Sequence, residues 1–248
     1  MPRPRYGYYR RRFFSSEYFP PGVKWLLISN TVIFLLTSLA PRTWQGDIAV
    51  LYLTPDTVIH NFTVYQLFTY LFLHAGPWHL IVNMLVLWMF GVQLERDWGT
   101  RRFLKYYFIC GIGAGICDVL MHAALGDWGT RTIGASGAIM GLLLAFGVLY
   151  PNQTILMEFL FPIKAKYFVM IYAAVELWSS FAAGNSGVSN IAHLGGMATG
   201  FIYLKSRLPA FRLRLPDARG AYNRWKVMRA KKKFQVYMRK HGNGPWVN

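Results

Sequence analysis

The chain has 248 residues, of which 54% are hydrophobic and 17% aromatic, and its formal net charge is +17. The apolar residues form long continuous runs, which excludes an ordinary soluble domain and predicts a membrane protein that crosses the bilayer several times. Because the basic residues are concentrated at both ends and in short connections between the apolar runs, the charge is explained by membrane topology, and we expect no nucleic-acid partner.

Six apolar segments predict an all-α bundle of six transmembrane helices. A basic N-terminal segment, residues 1–22, precedes the first span, which ends at about Ala40 and is long enough for an uncleaved anchor rather than a signal peptide. Residues 41–77 form a long first outer loop that is too polar to cross the bilayer but apolar enough to lie partly submerged in it. The other spans are predicted at about 77–92, 103–125, 136–150, 167–181 and 189–204.

The basic residues also predict the orientation of these spans. If the N-terminus is cytoplasmic, every Lys and Arg except Arg42 and Arg131 falls on the inner side. We therefore expect a membrane domain over residues 23–206 and a basic cytoplasmic tail over residues 207–248. The tail mixes basic and apolar residues, which favours a helix lying on anionic lipids. The expected location is the bacterial cytoplasmic membrane, with both termini cytoplasmic.

A serine flanked by glycines begins the fourth span. Gly134 and Gly137 leave space beside Ser136, so a foreign backbone can approach its hydroxyl. The unpaired N–H groups at a helix N-terminus can also receive a developing oxyanion. The string alone is weak evidence for a nucleophile, because glycines spaced like Gly137 and Gly141 are typical of helix packing.

A candidate base lies on the sixth span. In the predicted orientation the second, fourth and sixth spans all enter from the outer side, so their first turns share one depth. His193 lies in the first turn of the sixth span, and the small residues Ala192, Gly196 and Gly200 would let this helix approach the fourth span closely. A neutral imidazole there can accept the proton of Ser136 and return it to a leaving amine. The alternative for His193 is an interhelical hydrogen bond.

The second span carries two further polar residues at the same depth. His79 and Asn83 are four residues apart and share one helix face, so both can donate to an oxyanion together with the backbone amide of Ser136. Hydrogen bonds between helices are the alternative for this pair. His74 lies in the loop just ahead, and a structural role is favoured for it. The histidines lack the His-Glu-x-x-His pattern and a nearby carboxylate ligand, so we expect neither metal nor cofactor.

The serine helix is short for a span. The 15 residues from Ser136 to Tyr150 cover about 22 Å, against a hydrocarbon core of about 30 Å. The helix therefore begins below the outer surface, and residues 126–135 enter the membrane as irregular backbone, which needs protein or a water-filled cavity around it. Hydrolysis needs such a cavity, because water must reach an acyl-enzyme. The loop at residues 182–187 is a candidate cap.

Taken together, these motifs make the chain resemble the rhomboid family of intramembrane serine proteases. The resemblance covers roughly residues 23–206 and is carried by His74-Ala-Gly-Pro-Trp-His79-Leu-Ile-Val-Asn83, Gly134-Ala-Ser136-Gly137 and Ala192-His193-Leu-Gly-Gly196-Met-Ala-Thr-Gly200. It implies a Ser136/His193 dyad without an acid, and an oxyanion hole made by His79, Asn83 and the Ser136 amide. It also implies membrane-anchored protein substrates that enter laterally near the second and fifth spans.

One position departs from the pattern of this family. Bacterial relatives often have a tyrosine four residues after the serine, where it stacks on the catalytic histidine, and this chain has Met140 there. A thioether packs against an imidazole with less control of its orientation. The candidate supporting residues are thus His74, Gly134, Gly137 and Met140.

The leading hypothesis is a serine endopeptidase that hydrolyses peptide bonds in or near transmembrane segments. The alternative is a catalytically inactive relative that binds transmembrane segments for membrane-protein quality control. Such relatives usually lack the serine or the histidine, and both are present here. A channel or transporter is a third hypothesis, but the spans offer no second set of ion ligands.

Overall fold

The computed structural model describes residues 18–157, 161–182, 190–207, 226–229 and 231. The chain divides into two units, residues 1–207 and 208–248. In the second unit, the described residues 226–229 and 231 are helical. Most of the predicted basic N-terminal segment and of the predicted tail lies outside the described residues. The candidate cap at residues 182–187 also lies outside them, except for its first residue, Ala182.

The first unit is mostly helical. Its helices, in chain order, are α1 Pro21–Leu39, α2 Gln45–Ala49, α3 Pro55–His60, α4 Gln66–Thr69, α5 Pro77–Trp98, α6 Thr100–Ala124, α7 Ser136–Leu149, α8 Ala165–Ala182 and α9 Asn190–Arg207. The long helices α1 and α5 to α9 fall on the six apolar segments of the sequence. By length and composition, α1, α5 and α6 are each able to cross a membrane, and α7 is a shorter apolar helix. The chain is an integral membrane protein, while the count of six spans stays a prediction.

The connection between α1 and α5 is ordered by contacts with the segment that leads into α7. It contains α2, α3 and α4 and two 3₁₀ turns, Arg42–Trp44 and Tyr70–Phe72. Leu53 and Thr132 exchange backbone hydrogen bonds of 3.1 and 2.9 Å. The Gly134 amide donates to the Tyr70 carbonyl at 2.9 Å. These bonds satisfy backbone groups that would otherwise be unpaired in an irregular segment, and they fix the approach to the serine helix.

A two-stranded antiparallel sheet, which the sequence analysis did not predict, joins α7 to α8. Its strands are β1 Thr154–Met157 and β2 Phe161–Lys164, with Thr154 opposite Lys164 and Ile155 opposite Ile163. Three of these four residues, Thr154, Ile155 and Ile163, are β-branched, which suits extended backbone. The Gln153 carbonyl accepts the Ala165 amide at 2.8 Å, so the hairpin is tied to the start of α8.

A buried carboxylate anchors the N-terminus of α1 to the cytoplasmic end of α5 in the predicted orientation. Glu95 is 2% exposed and accepts the backbone amides of Gly22 and Val23, both at 2.7 Å. The hydroxyl of Thr100 also donates to it at 2.7 Å. The first amides of a helix have no partners within the helix, and a carboxylate satisfies them with charge-assisted bonds.

Glycines allow α6, α7 and α9 to pack almost backbone to backbone. A Cβ on Gly196 of α9 would lie 1.9 Å from the Gly137 carbonyl oxygen on α7. A Cβ on Gly141 would lie 2.5 Å from the Cβ of Cys110 on α6, and one on Gly113 would lie 2.3 Å from the Thr199 hydroxyl on α9. Since real side chains do not tolerate such distances, only glycine permits this approach.

The first prediction concerns this contact. Gly196→Ala should lower the free energy of unfolding by about 3 kcal/mol or more, because the methyl group forces two backbones apart, although alanine has the higher helix propensity by about 1 kcal/mol. Thermal unfolding in detergent micelles measures the effect. The matched control is Gly46→Ala in α2, where a Cβ meets no atom within 4 Å. Equal unfolding temperatures for the two variants would contradict this account of the packing.

Candidate active site

Ser136 is the first residue of α7, and the chain before it holds its hydroxyl in place. Gly134 has a φ of +124°, a conformation that residues with a Cβ rarely adopt. A Cβ at Gly134 would also lie 2.9 Å from Cε1 of His79 and 3.7 Å from the Ser136 oxygen. Gly134 is therefore needed both for its conformation and for the space beside the serine.

His193 and Ser136 lie within hydrogen-bonding distance. His193 is the fourth residue of α9, is 8% exposed, and places Nε2 2.7 Å from Oγ of Ser136. The contact is possible because α9 approaches α7 closely at Gly196, one turn after His193. Gly196 packs against the backbone of Gly137, the residue after Ser136. In the tautomer with the proton on Nδ1, Nε2 accepts the serine hydroxyl.

The other ring nitrogen of His193 faces a carboxyl group that the sequence analysis missed. Oε2 of Glu176, on α8, lies 3.1 Å from Nδ1 of His193, and Glu176 is 9% exposed. The two atoms are at ion-pair distance but are not aligned as a hydrogen bond, and neither makes a hydrogen bond within the described residues. A signal for this residue was present in the sequence, because an acid inside an apolar helix marks a candidate functional position.

His79 and Asn83 present donors on the face of α5 that borders the serine. Nδ1 of His79 accepts the Ala75 amide at 3.4 Å, which leaves its Nε2 to carry the proton. Asn83 is 6% exposed, and its Nδ2 has no hydrogen-bond partner among the described residues. A buried amide donor without a partner is unusual in proteins, and it is suited to a group that is present only during a reaction.

His74 lies behind His79 and is not part of the cavity wall. Its ring contacts that of His79 edge-on, with 5.1 Å between centroids, and it is 8% exposed. Burial, followed by the neighbouring charge of His79, lowers the pKa of His74 to about 4. His74 is thus neutral near pH 7, which fits support of the His79 ring.

The site opens into a cavity of about 780 Å³. Its polar wall contains Ser136, His193, His79 and Asn83, and the lining also includes Met140. The lining also includes apolar residues of α5, α7 and α8, such as Trp78, Phe90 and Phe168, and polar residues of the segment before α7, such as Asp127 and Arg131. A cavity of this size has room for a short extended peptide and for water.

The described residues contain no group of three or more His, Cys, Asp or Glu side chains that could hold a metal ion. The side chains of Ser136, His193, His79 and Asn83 are able to transfer protons, attack a carbonyl group and donate hydrogen bonds.

Comparisons with known proteins identify the family. Residues 61–209 match the family model of the Rhomboid domain. "Rhomboid protein 1, mitochondrial" of Saccharomyces cerevisiae is 33% identical over 181 residues, which cover 72% of this chain and 51% of the yeast protein. "RHOMBOID-like protein 1" of Arabidopsis thaliana is 35% identical over 147 residues, covering 58% of this chain and 35% of the plant protein.

A bacterial relative is matched over more of its length. "Putative rhomboid protease YdcA" of Bacillus subtilis is 31% identical over 191 residues, which cover 73% of this chain and 86% of that protein. The chain thus spans about half of the yeast relative and about a third of the plant one. The helices suited to membrane spanning and the match to the Rhomboid domain over more than half of the chain lead to one conclusion: this protein belongs to the rhomboid family.

Proposed function

We propose that this protein is an intramembrane serine endopeptidase that cleaves peptide bonds in or near the transmembrane segments of membrane-anchored proteins. The observation that carries the proposal is the 2.7 Å distance between Oγ of Ser136 and Nε2 of His193 on the wall of a cavity. Membership of the rhomboid family supports the same reading. Ser136 is the nucleophile and His193 the general base.

The reaction follows from the contacts of these two side chains. Oγ of Ser136 attacks the substrate carbonyl while its proton passes to Nε2 of His193. The tetrahedral intermediate then collapses, the carbon–nitrogen bond breaks, and His193 gives the proton to the leaving amine. A water molecule in the cavity, activated by the same imidazole, hydrolyses the acyl-enzyme and regenerates the serine.

Three donors are placed to stabilise the oxyanion. The Ser136 amide is at the first position of α7 and has no carbonyl partner within its own helix. His79 directs its ring toward Gly134, two residues before the nucleophile, and Asn83 offers an unpaired buried amide. Donors that are already oriented in a site shielded from bulk water stabilise developing charge strongly.

The cavity suits a substrate that arrives from the membrane. Its apolar wall is formed in part by α5 and α8, and both helices expose large apolar side chains such as Trp78 and Trp178, each 75% exposed. We propose that a transmembrane segment enters between these helices and unwinds locally, because an intact helix keeps its carbonyls hydrogen-bonded. Small or helix-weakening residues near the cut should therefore be preferred.

The orientation belongs to the same proposal. Six spans with both termini cytoplasmic keep almost all basic residues on one side and open the active site to the outer side. We propose the bacterial cytoplasmic membrane as the location, and the relatives described above include a Bacillus subtilis protein as well as a mitochondrial protein of yeast. The basic tail would then face the anionic inner leaflet.

The second prediction tests the nucleophile. Ser136→Ala should reduce the cleavage rate of single-span reporter proteins in liposomes by at least about 1000-fold, because removal of a serine nucleophile eliminates the covalent step. The control is Ser29→Ala, which removes a serine on α1 whose hydroxyl donates to the Leu26 carbonyl. Cleavage by Ser136→Ala at the parent rate would refute the proposal and favour a role in binding transmembrane segments.

The third prediction tests the oxyanion hole. Asn83→Ala should lower kcat by about 100-fold or more with a small change in KM. Because the Asn83 amide has no hydrogen-bond partner among the described residues, the unfolding temperature should not fall. The control is Asn30→Ala, a buried asparagine on α1 that donates to the Leu26 carbonyl at 2.8 Å and should leave kcat unchanged. A parent-like kcat for Asn83→Ala would remove this residue from the reaction.

A further inference from the structure

Glu176 is placed differently from its neighbours on α8. It is the only acidic residue in this helix of 18 residues. Val175, Leu177 and Trp178 are 55%, 50% and 75% exposed, as expected for side chains that face lipid, whereas Glu176 is 9% exposed. The carboxyl group therefore points into the protein, toward α9.

A buried carboxyl group in an apolar helix needs a partner. Removal of a carboxylate from water is unfavourable by several kcal/mol unless a charge or hydrogen bond compensates it. Among the described residues, the ion-pair partner of Glu176 is His193, at 3.1 Å. An apolar residue at this position would avoid the cost of removing a carboxylate from water. The presence of an acid therefore indicates a role other than stability.

The two nitrogens of His193 face different partners. Nε2 lies 2.7 Å from the Ser136 hydroxyl, and Nδ1 lies 3.1 Å from the Glu176 carboxyl. To accept the serine proton, Nε2 must be unprotonated, so the neutral ring must carry its proton on Nδ1. A carboxylate beside Nδ1 favours this tautomer, and it also stabilises the imidazolium that forms when the serine proton arrives.

We propose that Glu176 is a positioning residue that holds His193 in the productive tautomer and orientation, so that Ser136, His193 and Glu176 act as a triad. The inference rests on the proposed function and goes beyond the dyad that the family resemblance implies. A modest rotation of either side chain aligns Nδ1–H with Oε2, and catalytic hydrogen bonds are often poorly aligned before substrate binds.

Met140, four residues after Ser136, gives a reason for a carboxylate beside Nδ1 of His193. Met140 stands where an aromatic ring would stack on the histidine, and a flexible thioether fixes the imidazole plane weakly. A carboxylate at Nδ1 fixes the ring by a directional contact instead. Other titratable groups near His193 include His79 on α5 and Cys117 on α6. The Cβ of Cys117 lies 2.6 Å from the position of a Cβ on Gly195, two residues after His193.

The fourth prediction concerns Glu176→Gln, which keeps the shape of the side chain and removes its charge. The kcat for reporter cleavage should fall by about 10- to 100-fold or more, with little change in KM. In nitrogen-15 NMR of the histidine rings, Glu176→Gln should lower the share of His193 rings that carry the proton on Nδ1, because the carboxylate that favours this tautomer is gone. A structural role alone would leave the tautomer unchanged.

Matched variants isolate the effect. Glu176→Asp should retain more activity than Glu176→Gln. Asp56→Asn removes the carboxylate of another histidine–acid pair, with 2.8 Å between His60 and Asp56 on α3, and should leave both kcat and the tautomer of His193 unchanged. Nitrogen-15 NMR of the histidine rings in the parent protein provides a readout that needs no variant, and Nδ1 of His193 should carry the proton at neutral pH.

The outcomes separate this inference from the proposed function. If Glu176→Gln has a parent-like kcat and an unchanged His193 tautomer while Ser136→Ala is inactive, the positioning role is wrong and the proposed function stands. A neutral His193 protonated on Nε2 would also overturn the positioning role. If Ser136→Ala cleaves reporters at the parent rate, the proposed function fails and the triad fails with it.

Discussion

The close approach of α7 and α9 is the contact on which the rest of the structure depends. Gly196 packs against the backbone of Gly137 with no space for a Cβ. Ser136 precedes Gly137 and His193 lies one turn before Gly196, and the serine hydroxyl and the imidazole are 2.7 Å apart. In a bilayer, apolar surface gives helices little reason to associate, so close packing of small residues carries much of the association energy. The same glycines that hold the bundle together therefore set the distance between the two candidate catalytic groups.

An irregular segment of backbone leads into α7 and borders the cavity beside Ser136. The residues before Ser136 form backbone hydrogen bonds with the connection between α1 and α5, at Leu53–Thr132 and at Gly134–Tyr70. These bonds satisfy backbone N–H and C=O groups that lipid could not satisfy. The serine lies at the end of this segment, against a cavity of about 780 Å³. A hydrophilic site within a membrane protein is stable here because the connection between α1 and α5 forms hydrogen bonds with the backbone around it.

The sequence alone predicted much of the fold and most of the candidate site, for identifiable physical reasons. The six long helices fall on its apolar segments, and Ser136, His193, His79 and Asn83 border one cavity, as the shared depth of three helix starts predicts. The hairpin of β1 and β2 was missed because two four-residue strands in a short connection leave little periodic signal. Glu176 was missed although the reasoning used for His193, an ionisable group inside an apolar helix, applies equally to it. Its contact with Nδ1 depends on how α8 is rotated against α9, which no local pattern specifies.

The central claim is that Ser136 is an activated nucleophile because His193 accepts its proton. The most direct measurement is reaction of the purified protein with a fluorophosphonate, which labels activated serines, followed by peptide mapping with mass spectrometry. The account predicts one adduct, on Ser136, that disappears in His193→Ala. An unmodified Ser136, or labelling that does not depend on His193, would contradict it.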